Sequence, residues 1–162
     1  MSVRPDVPIA VDALPERCLV DTGVLIRALR QRSDDEAPAC VAFFDAMVSS
    51  SGRRMLVAAP TVAEMLRGNP QPLPRTRSLL VVPFDSRAAE LLGTEMPVDV
   101  LRVHRAHDQL PLSYLKYDAM IVACARRWEA DCIVALDTDH VTLARHVGMP
   151  VLHPRQFAHD RT

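Results

Sequence analysis

The chain has 162 residues, the size of one ordinary domain. Hydrophobic residues make up 49% and charged residues 24%, the profile of a soluble protein with a real core, and no apolar run is long enough for a membrane span. Nineteen basic residues against twenty acidic ones leave a formal charge of -1, and aromatics are only 4%; this excludes a polybasic nucleic-acid coat and supplies a base-stacking platform poorly, while a local basic face stays open.

Residues 1–17 carry Pro5, Pro8 and Pro15 with no sustained period and read as an extended or disordered lead-in. Asp6 and Asp12 interrupt any signal-peptide core. One domain is expected over 18–162. It opens with a short apolar strand, 18–21, ending in Asp21, followed by a helix through Leu25, Ile26 and Leu29. After the polar stretch 31–36, Pro38 opens a second helix that runs to Ser51-Gly52. Residues 55–59 form a second strand and 60–67 a helix, with Gly68 as its stop. The segment 69–78 (NPQPLPRTRS) is a proline-rich loop, and 79–82 a third strand halted by Pro83. Ser86 is expected to cap the next helix, with Glu90 behind it. Helices follow over 98–108 and 114–129, then a strand over 132–136, a helix over 139–146 and a fifth strand over 150–152.

Strands alternating with helices imply right-handed crossovers and a sheet covered on both faces. The strands are continuous apolar runs, as in buried parallel sheets. The fold class is therefore α/β: a three-layer α/β/α sandwich around a mostly parallel five-stranded sheet. Cys18, Cys40, Cys124 and Cys132 form no CxxC pair. They read as free thiols in a reducing, cytoplasmic setting, which argues against a structural zinc site.

Two strands end in aspartate, at Asp21 and Asp137. Ligands of open parallel sheets bind outside the carboxyl ends of the strands, so both acids point to one crevice, although either alone is an ordinary helix cap. Asp118 interrupts the most apolar stretch of the chain, where an unpaired carboxylate is costly. Glu64 follows the second strand on a short helix, where a solvated first-turn acid is the plainer reading. Arg27, Arg67 or Lys116 could pair with such acids. If Asp21, Glu64, Asp118 and Asp137 converge, two carboxylates about 5 Å apart repel by about 3 kcal/mol at an effective dielectric of 20. Four would then need a cation, and oxygen ligands select Mg²⁺ or Mn²⁺ over Zn²⁺. That site suits phosphodiester hydrolysis by activated water. Asp139 is an accessory ligand or a helix cap; Thr22 orients a metal-bound water or, more plainly, caps its helix.

At these positions the sequence resembles the PIN-domain ribonucleases, most closely the VapC-type toxins of VapBC toxin–antitoxin pairs. The segments that carry the resemblance are Leu19-Val20-Asp21-Thr22-Gly23-Val24-Leu25-Ile26, Pro60-Thr61-Val62-Ala63-Glu64-Met65-Leu66-Arg67-Gly68, Tyr117-Asp118-Ala119-Met120-Ile121-Val122-Ala123-Cys124-Ala125 and Ile133-Val134-Ala135-Leu136-Asp137-Thr138-Asp139-His140. The last-strand segment Gly148-Met149-Pro150-Val151-Leu152-His153-Pro154 completes the order, so the resemblance covers roughly 18–158. It implies a Mg²⁺- or Mn²⁺-dependent endoribonuclease with Asp21, Glu64, Asp118 and Asp137 as the metal-binding catalytic set. It also implies an RNA substrate, a homodimer, and an antitoxin that inserts a segment near the site. Gly23 stands where the family often has Ser or Asn, and Ala135 where it usually has Thr. The lead-in and the 69–78 insert have no clear family counterpart.

Arg27, Arg30 and Arg32 follow the first acid, and Arg67, Arg75 and Arg77 follow the second. They read equally well as contacts to RNA phosphates or an acidic antitoxin segment, and as a solvated helix face. His104 and His107 lack further ligands and belong to a solvated face. The competing functional class is a non-catalytic PIN-like RNA-binding or scaffold domain, favoured by Ala135 and the modest charge. A small-ester phosphatase ranks last, because Gly23 stands where an Asp-x-Asp would need its second acid.

Overall fold

Short apolar runs become the strands of one sheet. In the computed structural model, which describes residues 7–30, 34–108, 112–136 and 139–158, these are β1 (Arg17–Val20), β2 (Arg54–Ala58), β3 (Leu79–Val82), β4 (Cys132–Val134) and β5 (Val151–Leu152). They lie in the order β3-β2-β1-β4-β5, and every neighbouring pair is parallel. The helices are α1 (Thr22–Leu29), α2 (Ala37–Ser49), α3 (Ala59–Gly68), α4 (Ser86–Glu95), α5 (Val98–Asp108), α6 (Leu112–Arg127) and α7 (Asp139–His146).

Alternate residues of each strand face opposite layers. Cys18, Val20, Met55, Val57, Cys132 and Val134 pack with α1, α2 and α3 through Leu25, Phe43, Met47 and Met65. Leu19, Leu56, Ala58, Ile133 and Ala135 pack on the other side with Met96, Leu101, Val122, Leu143 and further residues of α4 to α7. The expected α/β/α sandwich is therefore what forms, with all five strands parallel. Among the described residues no helix is long and apolar enough to cross a membrane.

The four cysteines are free and buried, two of them laterally paired, Cys18 with Cys132, across β1 and β4. Burial pushes the thiols of Cys40 and Cys132 up to about 12 and that of Cys124 up to about 11, and holds Cys18 well above its ordinary value. They remain neutral core residues.

Part of the expected lead-in is anchored. Val11–Ala13 form a 3₁₀ turn, Leu14 is buried, and Ile9 bridges Ala158 in antiparallel fashion. Arg53 donates to the carbonyls of Val11 and Leu14. At the other end of the described chain, Pro154–Phe157 form a 3₁₀ turn capped by His153, and Phe157 stacks on Phe43 of α2 at 5.3 Å. Glu36, which precedes α2, meets both His153 Nε2 and Arg155 at 3.2 Å.

The cap of α4 is Asp85, not Ser86. Asp85 is extended and accepts from the Ala88 N–H at 2.9 Å, while Ser86 is the first helical residue. Arg127 of α6 grips the same carboxylate at 3.0 Å.

Candidate functional site

The strand order fixes where the first acid stands. From β1 the chain steps to β2 and β3 on one side, then returns to β4 on the other. The junction of β1 and β4 is thus the topological switch point, outside whose carboxyl end ligands of such sheets bind. Asp21 is the residue immediately after β1, and its N–H continues the ladder by donating to the Val134 carbonyl at 3.0 Å. Its backbone occupies the cap position of α1, yet its carboxylate does not cap that helix. The plain helix-cap reading of Asp21 therefore does not hold.

Thr22 does not cap α1 either; it is the first helical residue, 8% exposed, and its hydroxyl donates to Glu64 Oε2 at 2.7 Å. This contact brings an acid from α3 to the residue adjacent to Asp21. Glu64 lies past the first turn of α3, on an exposed face, with Met65 buried behind it. Gly23 leaves space beside Asp21. A Cβ built there would stand 3.7 Å from each of Asp21 Oδ2, Arg27 Nη1 and Leu136 Cδ1, ordinary contact distances. Leu136 directly precedes Asp137, so the end of the β4 segment closes on the same small volume.

Asp118 is half-buried on α6, just before the buried run from Ile121 to Ala125, and α6 packs against α3 and β2. Asp21 and Asp118 both take part in further polar or electrostatic interactions. Asp137 lies outside the described residues, as do the side chains of Asp139, His104 and His107; α7 begins at Asp139. Among the described residues, no group of three or more acid, His or Cys side chains is close enough to hold a metal ion. The donors that do gather at the switch point, carboxylate and hydroxyl oxygens, are those of a hard divalent cation, and the cysteines are buried and neutral.

Two of the arginines grouped with the first acid are engaged within the molecule. Arg27 pairs with Asp34 at 2.8 Å and donates to the Gly23 carbonyl; it holds the Asp34 carboxyl below its ordinary value, against the desolvation that raises it. Arg30 donates to the Met65 and Asn69 carbonyls, closing the C-terminal end of α3 onto that of α1. Sequence reasoning missed this role because both acceptors are backbone groups far along the chain. Arg32 lies outside the described residues.

A PIN domain is matched over residues 18–146, which includes β1 from its second residue, β2 to β4, α1 to α7 and all four candidate acids. The chain belongs to the PIN-domain family. This PIN domain is similar to a chain in the structure of FitAB bound to an IR36 DNA fragment, at 19% identity and a TM-score of 0.57, with 89% of this chain and 99% of that one covered. It is also similar to a chain of VapBC2 from Rickettsia felis bound to a fragment of their promoter DNA, at 11% identity and a TM-score of 0.55, covering 85% and 98%. A chain of DNA-bound VapBC from Salmonella typhimurium gives 18% identity, a TM-score of 0.51 and coverage of 85% and 98%. No curated protein matches the sequence. The fold expected from the sequence and the fold of these chains agree.

Proposed function

We propose that this PIN domain is a Mg²⁺- or Mn²⁺-dependent endoribonuclease and the toxin subunit of a toxin–antitoxin pair. The observation that carries the reading is the Thr22–Glu64 contact at the β1/β4 switch point, which sets Glu64 beside the Asp21 junction. Asp21, Glu64, Asp118 and Asp137 are the residues that would hold the cation, with Asp139 as an accessory.

When bound there, a divalent cation supplies Lewis acidity and makes water a nucleophile near neutral pH. Thr22 holds the Glu64 carboxylate in one orientation, leaving its second oxygen to accept a proton or position a water. Asp21, placed by the end of β1 and not used as a cap, directs its charge into the crevice. Leu136 places an apolar methyl group beside Gly23 and Asp21. The absence of a side chain at Gly23 and of a hydroxyl at Ala135 leaves the carboxylates as the main polar groups at the strand ends.

An antitoxin partner is supported by the FitAB and VapBC complexes to which the fold is similar. A cytoplasmic homodimer is part of the same proposal. The test is digestion of RNA by the full chain with Mg²⁺ or Mn²⁺ and with EDTA, beside Asp21→Asn. Cleavage should need the cation and vanish in the variant, whose circular dichroism stays unchanged. RNA binding that survives EDTA, with no cleavage at any divalent concentration, identifies a non-catalytic domain instead. Growth arrest by the chain, relieved by a neighbouring small reading frame, tests the toxin assignment.

A further inference from the structure

Between Glu64 and Asp85 the sequence contains no acid, but it contains Arg67, Arg75 and Arg77. The structure separates these three from most of the other arginines. Arg27, Arg30, Arg53, Arg126, Arg127 and Arg155 each donate to carboxylates or backbone carbonyls of the chain. Arg67, Arg75 and Arg77 are exposed, and among the described residues they have no such partner.

The segment that displays them is held in place. Arg30 fixes its start at the Asn69 carbonyl, and Asn69 Oδ1 accepts the Gln71 N–H at 3.2 Å. Leu73 packs against the hydrophobic cluster beneath α1 and α2. The Thr76 hydroxyl accepts the Ser78 N–H at 3.0 Å, between Arg75 and the start of β3. Pro70, Pro72 and Pro74 stiffen what lies between. Guanidinium groups on such a strip lose little backbone entropy when they bind.

The strip begins at the candidate site. Arg67 is three residues beyond Glu64 on α3, so the two share an exposed face with Cβ atoms about 5–6 Å apart. A phosphodiester held beside Glu64 would present its neighbouring phosphate within reach of Arg67. From there the segment runs to the amino end of β3, where the Ser78 carbonyl accepts from the Met55 N–H. Arg75 and Arg77 therefore lie toward the edge of the sheet opposite the crevice, and a single strand would reach them by following the α3 side of the molecule.

The geometry points to Arg67, Arg75 and Arg77 as a phosphate-binding strip for the single-stranded RNA flanking the cleaved bond. The inference rests on the nuclease reading for its substrate. Recognition is by backbone charge, consistent with the scarcity of aromatic side chains for stacking. Arg67, next to the site, anchors the register; Arg75 and Arg77 extend the grip.

The experiment is salt-dependent binding of a short mixed-sequence single-stranded RNA to the full chain in EDTA. Wild type, the three single Arg→Ala variants, the triple variant and the triple Arg→Lys variant are compared. Arg87→Ala, at an exposed arginine paired with Glu90, is the control. Each strip arginine should flatten the log–log salt slope by about 0.7, and the triple Ala variant by about 2, with binding about tenfold to a hundredfold weaker at moderate salt. The triple Lys variant should keep the slope, and Arg87→Ala should match wild type.

An unchanged slope in the triple Ala variant, or no RNA binding by wild type, overturns the strip. Loss of binding to a glutamate-rich peptide with RNA binding intact also overturns it and makes the face a protein-docking surface. Cleavage in Mg²⁺ is followed in parallel. Cleavage with an unchanged slope rejects the strip alone, whereas slope loss without any wild-type cleavage in Mg²⁺ or Mn²⁺ rejects the nuclease reading and leaves the strip standing.

Discussion

The Thr22 hydroxyl donates to Glu64 Oε2 across 2.7 Å, joining residues 42 positions apart in sequence. Thr22 is the first residue of α1 and Glu64 lies on α3, so one short bond ties the exit of β1 to the helix that follows β2. Groups that orient a ligating or catalytic carboxylate typically contribute a factor of 10 to 100 in affinity or rate. Thr22→Val keeps the shape and removes the donor. Steady-state cleavage should fall in kcat by about tenfold or more, with little change in the thermal midpoint and with recovery in Thr22→Ser. Equal rates for Val and wild type would assign the bond to folding alone.

Gly23 lies in the first turn of α1, with ordinary contacts around the place a Cβ would take and no left-handed φ to forbid one. A glycine inside a helix costs about 0.5–1 kcal/mol relative to alanine, chiefly through the freedom of the unfolded chain. Gly23→Ala should therefore raise unfolding stability by up to about 1 kcal/mol in urea titration. Gly23→Ser places a hydroxyl near Asp21 Oδ2 and should alter the divalent-ion concentration needed for cleavage. A loss of stability in Gly23→Ala would show that the turn cannot accept the methyl group.

The Ala88 N–H and the Arg127 guanidinium hold the Asp85 carboxyl below its ordinary value of 3.8, outweighing desolvation. Because the folded value is the lower one, this stabilisation is fully present above pH about 4 and is lost as pH falls through the lowered value. Asp85→Asn can still cap α4 but does not titrate. The gap in melting temperature between wild type and this variant should be constant from neutral pH to about pH 5 and then close in strong acid. A gap that persists at pH 2 would remove Asp85 as its source.

Phe157 is 2% exposed and its ring stacks on Phe43, which is fully buried. Truncating a buried phenylalanine typically costs about 3–5 kcal/mol. Phe157→Ala should lower stability by about that amount and also free the neighbouring Ile9–Ala158 bridge. Limited proteolysis should then cut near residues 7–14 under conditions where the wild type resists. Resistance equal to wild type would separate the two anchors.

The sheet was legible because each strand is a short apolar run in a fixed place between helical segments, and Asp21 was legible because it follows such a run directly. What the sequence could not display were contacts between distant residues. Ser86 and Asp85 are both good caps by residue type; the extended backbone at Asp85 and the reach of Arg127 from α6 decide between them. Arg30 reads in sequence as a charge beside the crevice, but its acceptors are the carbonyls of Met65 on α3 and of Asn69 just beyond it. The proline pattern before β1 hid the 3₁₀ turn at Val11–Ala13, whose partners Arg53 and Ala158 lie elsewhere in the chain. Thr22 was visible as a residue, but the direction of its hydroxyl depends on α3.

The four buried thiols also make the fold its own reporter. Cys18 and Cys132 lie side by side in the middle of the sheet, while Cys40 belongs to the layer on one face and Cys124 to the layer on the other. A thiol-selective reagent can reach each of them only when its own layer opens, and their neutrality in the folded state slows the reaction further. Labelling followed by mass spectrometry would therefore time the opening of each helical layer separately from the splitting of the central strands. Identical rates at all four sulfurs would mean that the sandwich opens as one cooperative unit.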